Sequence, residues 1–301
     1  MPNIFEKIAG YSLPGIFIIT SVVGKFSPAR PASSSTQHIA CRLKLTFLVH
    51  AFTALVNPLV LFRNFASFKE RAFANLWAIG GVICAIDTPK QLAPLLAQCK
   101  GVILDVGPGS GHQVFRFTNT KGIEAIYGAE PGESMHDGLR SRAKAAGLGE
   151  KYHVLNCEAK EESLVPALVK AGILKSNEKS RGSAVFDEIV CVRVLCGVEN
   201  EREVVQGLYD LLKSGGRMVV CEHVVNSGVV TKGGSKLGRS LQSFYMNLGW
   251  PHLTGGCYLM RNTLATLEKA AERDGGWARV EVELVDPWST VPHIVGVLTK
   301  R

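Results

Sequence analysis

The 301-residue chain is 46% apolar and 20% charged, and it carries a net charge of +8 at neutral pH. That composition supports a large core and excludes general disorder, while the length allows one large domain or two small ones. The positive excess is local, because residues 1–100 carry ten Lys and Arg against three Asp and Glu, and the remainder carries 24 against 23. A basic, apolar N-terminal third suits an anionic membrane surface. No Lys/Arg-rich run interleaved with aromatics follows, so nucleic acid is not an expected partner.

Two apolar stretches come first. Ile8–Val23, interrupted by Pro14 and Gly15, is short for a membrane span. It reads either as an anchor or as a secretory signal. Ser27–Gln37 is a Pro/Ser-rich linker. Leu45–Phe62 holds no charge over 18 residues and has Arg42, Lys44 and Arg63 at its flanks. Its length is borderline for a span, and His50 with the Asn57-Pro58 pair favours a kinked or shallow helix. An in-plane or re-entrant anchor is the preferred reading, and a helix packed on the domain is the alternative. Residues 1–87 are accordingly set apart as an extension from a domain over 88–301.

From Thr88 the pattern becomes regular. Thr88-Pro89 with Gln91 reads as a capping box. Apolar runs at Gly101–Val106, Ile123–Ala129, Tyr152–Asn156, Ala184–Val192 and Arg217–Val224 predict five strands. Amphipathic helices separate them, one starting at Ser134 and ending near Gly147, another capped by Asn200 with Glu203 and stopping at Lys213–Gly216. Lys175–Ser183 is a polar insertion that reads as a flexible loop. Helices near Lys236–Leu248 and from Asn262 follow, and Val280–Leu284 and Ile294–Leu298 read as closing strands. Continuous apolar strands between amphipathic helices give the α/β class, a Rossmann-like, doubly wound and mostly parallel sheet with a hydrophobic helical N-terminal extension.

The eight cysteines form no C-x-x-C pair, and several lie inside strand-like runs. Buried thiols in a reducing, cytosolic compartment fit better than a disulfide framework, which weighs against secretion. No His/Cys cluster has zinc-ligand spacing in the sequence, so no metal is expected.

The strongest chemical signal is LDVGPGSG, Leu104–Gly111, directly after a strand. Gly107, Gly109 and Gly111 allow a tight turn and close approach of a ligand to the backbone. The G-x-G-x-G spacing is one residue shorter than that of dinucleotide binders, and no Walker-type lysine follows. Asp105 stands where a carboxylate can reach the ammonium of a bound amino acid. Glu130 closes the second strand, 23 residues after Gly107, as a ribose-hydroxyl acceptor should.

These segments resemble class I S-adenosylmethionine-dependent methyltransferases from Thr88 to the C-terminus. The matching parts are LDVGPGSG, the strand ending in Glu130, Cys157-Glu158-Ala159, VFDEIVCVRVLCGV and LLKSGGRMVVCEHV. The resemblance implies S-adenosyl-L-methionine as cofactor, with the first segment around the methionine moiety, Glu130 on the ribose and Glu158 near the adenine. Ser214 departs from the usual Pro before the paired glycines. VRVLCGVENEREVV and CEHV are similar, more narrowly, to the membrane-associated thiol S-methyltransferase-like branch, and more distantly to ubiquinone/menaquinone-biosynthesis methyltransferases. The insertion at Lys175–Ser183 and residues 1–37 depart from the thiol branch.

A small, lipophilic acceptor (thiol, hydroxyl or amine) is therefore the expected substrate, methylated at a membrane surface. Glu222 and His223 at the end of strand five are candidate catalytic groups, with His223 as general base. His252, in the aromatic and glycine-rich WPHLTGGCY, is a third, on a candidate lid. Arg193 orients an acidic substrate or pairs with a nearby acid, and Cys196 reads as a packed thiol. A nicotinamide-dependent oxidoreductase and a non-catalytic binding protein of the same fold are the alternatives.

Overall fold

The computed structural model describes residues 88–175, 180–254 and 256–301, without the side chains of residues 252 and 253. The extension of residues 1–87, with both apolar stretches, lies outside the described residues, as does part of the polar insertion. Among the described residues no helix is long and apolar enough to cross a membrane.

The strands are β1 (Gly101–Val106), β2 (Ile123–Ala129), β3 (Tyr152–Leu155), β4 (Phe186–Val192), β5 (Leu212–His223), β6 (Arg279–Val285) and β7 (His293–Thr299). The helices are α1 (Leu92–Ala97), α2 (Glu133–Ala145), α3 (Glu161–Lys170), α4 (Glu201–Leu211), α5 (Lys236–Asn247), α6 (Trp250–Leu253) and α7 (Thr263–Ala270). One seven-stranded sheet runs β3-β2-β1-β4-β5-β7-β6. The first five strands are parallel, and β7 is antiparallel to both β5 and β6. The expected doubly wound, mostly parallel sheet is present.

Side chains of a strand point alternately to its two faces, so a strand covered on both sides must be apolar throughout. Most positions of the central strands obey this, with Asp105, Glu188 and Glu222 as buried exceptions. Leu104 and Val106 of β1, Ile189 and Cys191 of β4, Met218 and Val220 of β5, and Ile294 and Leu298 of β7 join one core. That core is closed by Leu164 and Leu168 of α3, Val204 and Leu208 of α4, and Leu267 of α7. The intervening Ile103, Val190, Val219, Cys221, Val295 and Val297 join the other, beneath α1 and α2. Six cysteines in the described residues are free and buried, as their apolar settings suggested.

The order reverses between β1 and β4, which lie side by side although β2 and β3 intervene in sequence. Ligands of doubly wound sheets bind beyond the strand carboxyl ends at such a reversal. At the opposite, amino ends, Glu188 is 1% exposed and Arg217 grips it across β4 and β5, with Nη2 2.8 Å from each carboxylate oxygen. The chemistry is thereby directed to one end and a structural ion pair to the other.

Some local expectations need correction. The Thr88 capping box does not form, because α1 starts at Leu92 with Gln91 as its cap, and the Thr88 hydroxyl accepts from Gln113 instead. Asn200 does precede α4, but it has φ of 48° and makes no side-chain cap. α4 ends at Leu211 and β5 begins at Leu212, because Leu212 pairs with Phe186 ahead of a register shift that absorbs the glycines.

Candidate active site

The turn after β1 is built on three left-handed glycines, with φ of 59° at Gly107, 58° at Gly109 and 82° at Gly111. A Cβ at Gly107 would collide with the side chain of Val194 from the loop after β4. The turn is held from two directions. Glu130, 6% exposed at the end of β2, accepts from Gly109 N–H at 2.8 Å and from Gly132 N–H at 2.9 Å through its two oxygens. From α2, Arg142 Nη1 donates to the Ser110 carbonyl at 2.7 Å, and its Nη2 stands 3.1 Å from His112 Nε2.

Asp105 lines the pocket at the carboxyl ends of β1 and β4, together with Gly107, Pro108, His112, Val192 and Arg193. Its Oδ2 accepts from the Tyr152 hydroxyl at 2.7 Å. Burial pushes the Asp105 carboxyl up to about 6, against the opposing effect of the Tyr152 hydrogen bond. A buried carboxylate on a pocket wall, held at an energetic cost, is matched to a cationic ligand. His112, which the sequence did not single out, is pushed down to about 4 by burial and by Arg142, so it is a neutral imidazole in this wall at pH 7. Its only sequence signal is its place immediately after Gly111.

Glu158 follows β3 with its side chain about half exposed, its carboxylate 2.9 Å from Lys160 Nζ. Cys157 beside it is buried, and the charges of both Glu130 and Glu158 help to raise its thiol to about 11, after burial as the main cause. The carboxyl ends of β1, β2 and β3 thus gather the glycine turn, Asp105, Glu130 and Glu158, although these residues span more than fifty positions of sequence.

The other wall comes from β4, β5 and β7. Arg193 closes β4 at φ of 54°, strain of a kind that concentrates at functional sites. Its Nε donates to His293 Nε2 at 3.2 Å. The His293 ring lies 4.7 Å from that of His223, at the end of β5. His223 Nδ1 in turn lies 3.5 Å from Cys257 Sγ. Cys196 completes a group in which the ligand atoms of Cys196, His223 and Cys257 all lie within 4.8 Å of one another. Hydrogen bonding from Cys196, and then the nearby His223, hold the Cys257 thiol well below its usual range, while Cys196 is raised.

Glu222 is fully buried, and its Oε1 accepts from the amides of Val194 at 2.9 Å and Leu195 at 3.1 Å. Burial raises its carboxyl to about 7, although those amides favour the charged form. The geometry therefore gives Glu222 the loop after β4 to hold, and separates it from its neighbour His223. Arg261 clamps the same loop through the carbonyls of Leu195 and Val198. His252 lies in α6, and its side chain is outside the described residues.

A family model described as a methyltransferase domain matches residues 82–275. The chain belongs to the methyltransferase-domain family. The matched span holds β1 to β5 and α1 to α7, and with them the glycine turn, Asp105, Glu130 and Glu158. The chain is 33% identical over 128 residues to the thiol S-methyltransferase TMT1B of Rattus norvegicus, a match covering 41% of the chain and 48% of that relative. It is also 33% identical over 119 residues to the same-named protein of Homo sapiens, covering 38% and 44%. The chain thus spans about half the length of the curated relatives it matches. An O-methyltransferase family protein of Burkholderia thailandensis shares the fold with a TM-score of 0.51 at 13% identity, covering 96% of this chain and 82% of that one.

Proposed function

We propose that the protein methylates the sulfur of a small, lipophilic thiol. The observation carrying this reading is the likeness to relatives named thiol S-methyltransferase. When bound, S-adenosylmethionine supplies an electrophilic methyl group on a sulfonium. Asp105 receives the donor's ammonium, Glu130 accepts from its ribose hydroxyls, and Glu158 stands beside the adenine. Gly107, Gly109 and Gly111 keep the backbone open to close approach. The second wall, from Arg193 to Cys257, faces the acceptor, and Glu222 acts through the loop that it holds.

Transfer needs the acceptor sulfur in line with the methyl group, about 3–3.5 Å away. A free thiol with a pKa of about 8.5 is a few per cent thiolate at pH 7, so positioning and thiolate supply are the tasks left to the protein. Lipophilicity of the acceptor is supported by the surface near this wall. Leu237 and Phe244 of α5 and Leu248 at its C-terminal end are each more than half exposed, and Val230 is 72% exposed. Lys232 and Lys236 are exposed beside them, a combination suited to a membrane surface.

The test is methyl transfer from labelled S-adenosylmethionine to matched thiol, phenol and amine acceptors of increasing chain length. The thiols are expected to be turned over fastest, with KM falling as the chain lengthens. Phenol or amine turnover above that of the thiols would overturn the reading.

The Asp105 assignment predicts a pH dependence. Its carboxyl is raised in the fold from 3.8 to about 6. Its contribution to fold stability is therefore fully present below about pH 4 and is lost as pH rises through about 6. A cationic ligand favours the ionised form, so donor affinity should rise with pH up to about 6 and level off above. Calorimetry should give about tenfold weaker binding at pH 5 than at pH 7, with proton release on binding. Asp105→Asn should bind weakly and without this dependence, whereas a flat wild-type profile would remove Asp105 from the donor site.

A further inference from the structure

We propose that Cys196, His223 and Cys257 form a zinc site with one open coordination position, and that this position takes the acceptor thiol as a thiolate. The metal part stands on the cluster's geometry alone, and the choice of acceptor rests on the thiol reading above.

The donor set is two sulfurs and one imidazole nitrogen, a combination that zinc prefers. A tetrahedral zinc with bonds of about 2.3 Å to sulfur and about 2.0–2.1 Å to nitrogen sets its sulfur and nitrogen ligands about 3.6 Å apart. Cys257 Sγ and His223 Nδ1 are 3.5 Å apart, and all three ligand atoms lie within 4.8 Å of one another. The ligands come from three separate places, the loop after β4, the end of β5 and the segment after α6. They are tied together independently of any ion. Tyr258 N–H donates to the Cys196 carbonyl at 2.8 Å, Glu222 holds the amides leading into Cys196, and Arg261 grips the carbonyl of Leu195. Cys196 and Cys257 are 2% and 7% exposed, and His223 is half-buried, which leaves access from one side.

Structural zinc sites close with four protein ligands, whereas catalytic sites keep three and leave a position open. Among the described residues three are present. The cluster also adjoins the donor pocket, since Arg193 of the pocket wall bonds His293, whose ring packs on His223. A thiol entering the open position would lose its proton to solvent, because a zinc-coordinated thiol is deprotonated outright. The thiolate's electron pair then forms the new S–C bond as the methyl–sulfonium bond breaks. The products are a neutral thioether, S-adenosylhomocysteine and the one proton already released. A thioether is a poorer zinc ligand than a thiolate, so the product leaves.

The experiment uses the full chain purified under reducing conditions without chelators. Metal content is read by mass spectrometry, and cobalt is then exchanged for zinc. About one zinc per chain is expected, together with thiolate-to-cobalt charge-transfer absorption. The cobalt d–d bands should move on addition of 2-mercaptoethanol. Cys257→Ser and His223→Ala should lower metal affinity by at least 100-fold while still binding S-adenosylmethionine by calorimetry, which certifies their folding. The cobalt spectrum of the wild type is an independent reading that needs no variant. A chain isolated without metal and lacking a cobalt spectrum, one with Cys196 and Cys257 joined as a disulfide, or metal retained in full by both variants would overturn the proposal. A bound metal whose spectrum ignores 2-mercaptoethanol would overturn the open-position role. Failure of the thiol reading shows separately, in the acceptor comparison.

Discussion

Glu130→Ala is expected to weaken S-adenosylmethionine binding by at least about 100-fold while leaving the chain folded. The carboxylate is buried at the end of β2, and its oxygens already orient the amides of Gly109 and Gly132. Hydrogen bonds to a charged group contribute about 1.5–3 kcal/mol each, and the alanine variant loses those to the ribose as well as those shaping the turn. Two such bonds account for the 100-fold, since each factor of ten is about 1.4 kcal/mol. Glu130→Gln retains the shape and one acceptor, so it should fall between the two. Calorimetric titration beside a thermal melt separates binding from folding. An alanine variant that melts cooperatively and binds as the wild type does would exclude Glu130 from the donor site.

The second large effect is on stability. Glu222→Leu should cost about 3–4 kcal/mol, read from urea unfolding, because the amides of Val194 and Leu195 would lose their acceptor inside the protein. Buried donors stripped of partners cost about 1–3 kcal/mol each. Glu222→Gln keeps an oxygen for both amides and should cost about 1 kcal/mol. Turnover should follow the same order, because the loop that Glu222 holds carries Arg193 and Cys196. A general acid would behave differently, with the glutamine variant as inactive as the leucine one at nearly full stability. That pattern would return Glu222 to direct chemistry.

Much of the fold was legible because its information is local. A strand buried on both faces is apolar at most of its positions, and the alternation of β1, β4, β5 and β7 between two cores is what those runs encode. The glycine turn was equally readable, since its three left-handed positions and Asp105 lie within one eight-residue segment. Errors came where a group had a choice of partners. The Thr88 hydroxyl could serve the first turn of α1 or the Gln113 side chain, and it serves Gln113. Leu212 pairs with Phe186 and draws the helix stop into β5.

The Cys196–His223–Cys257 group was not legible for a different reason. Its members are 27 and 34 residues apart, with α4 and most of β5 in the first interval and α5 and α6 in the second. No ligand-spacing pattern covers such gaps. The group exists because the sheet brings the ends of β4 and β5 together and α5 folds back over them. Glu222 is a related case. Adjacent strand residues face opposite ways, so its position beside His223 said nothing about a shared role.

The arrangement of β6 and β7 bears on how the protein is made. β6 touches the sheet only through β7, which lies between it and β5. Until β7 is in place, β6 therefore has no strand to pair with, and β5 presents an open edge. Val280 and Leu284, exposed even in the completed sheet, would then sit on an unpaired strand, the kind of surface that recruits other chains. The pairing of β7 with both of its neighbours, more than the formation of the first five strands, therefore shields this edge from other chains.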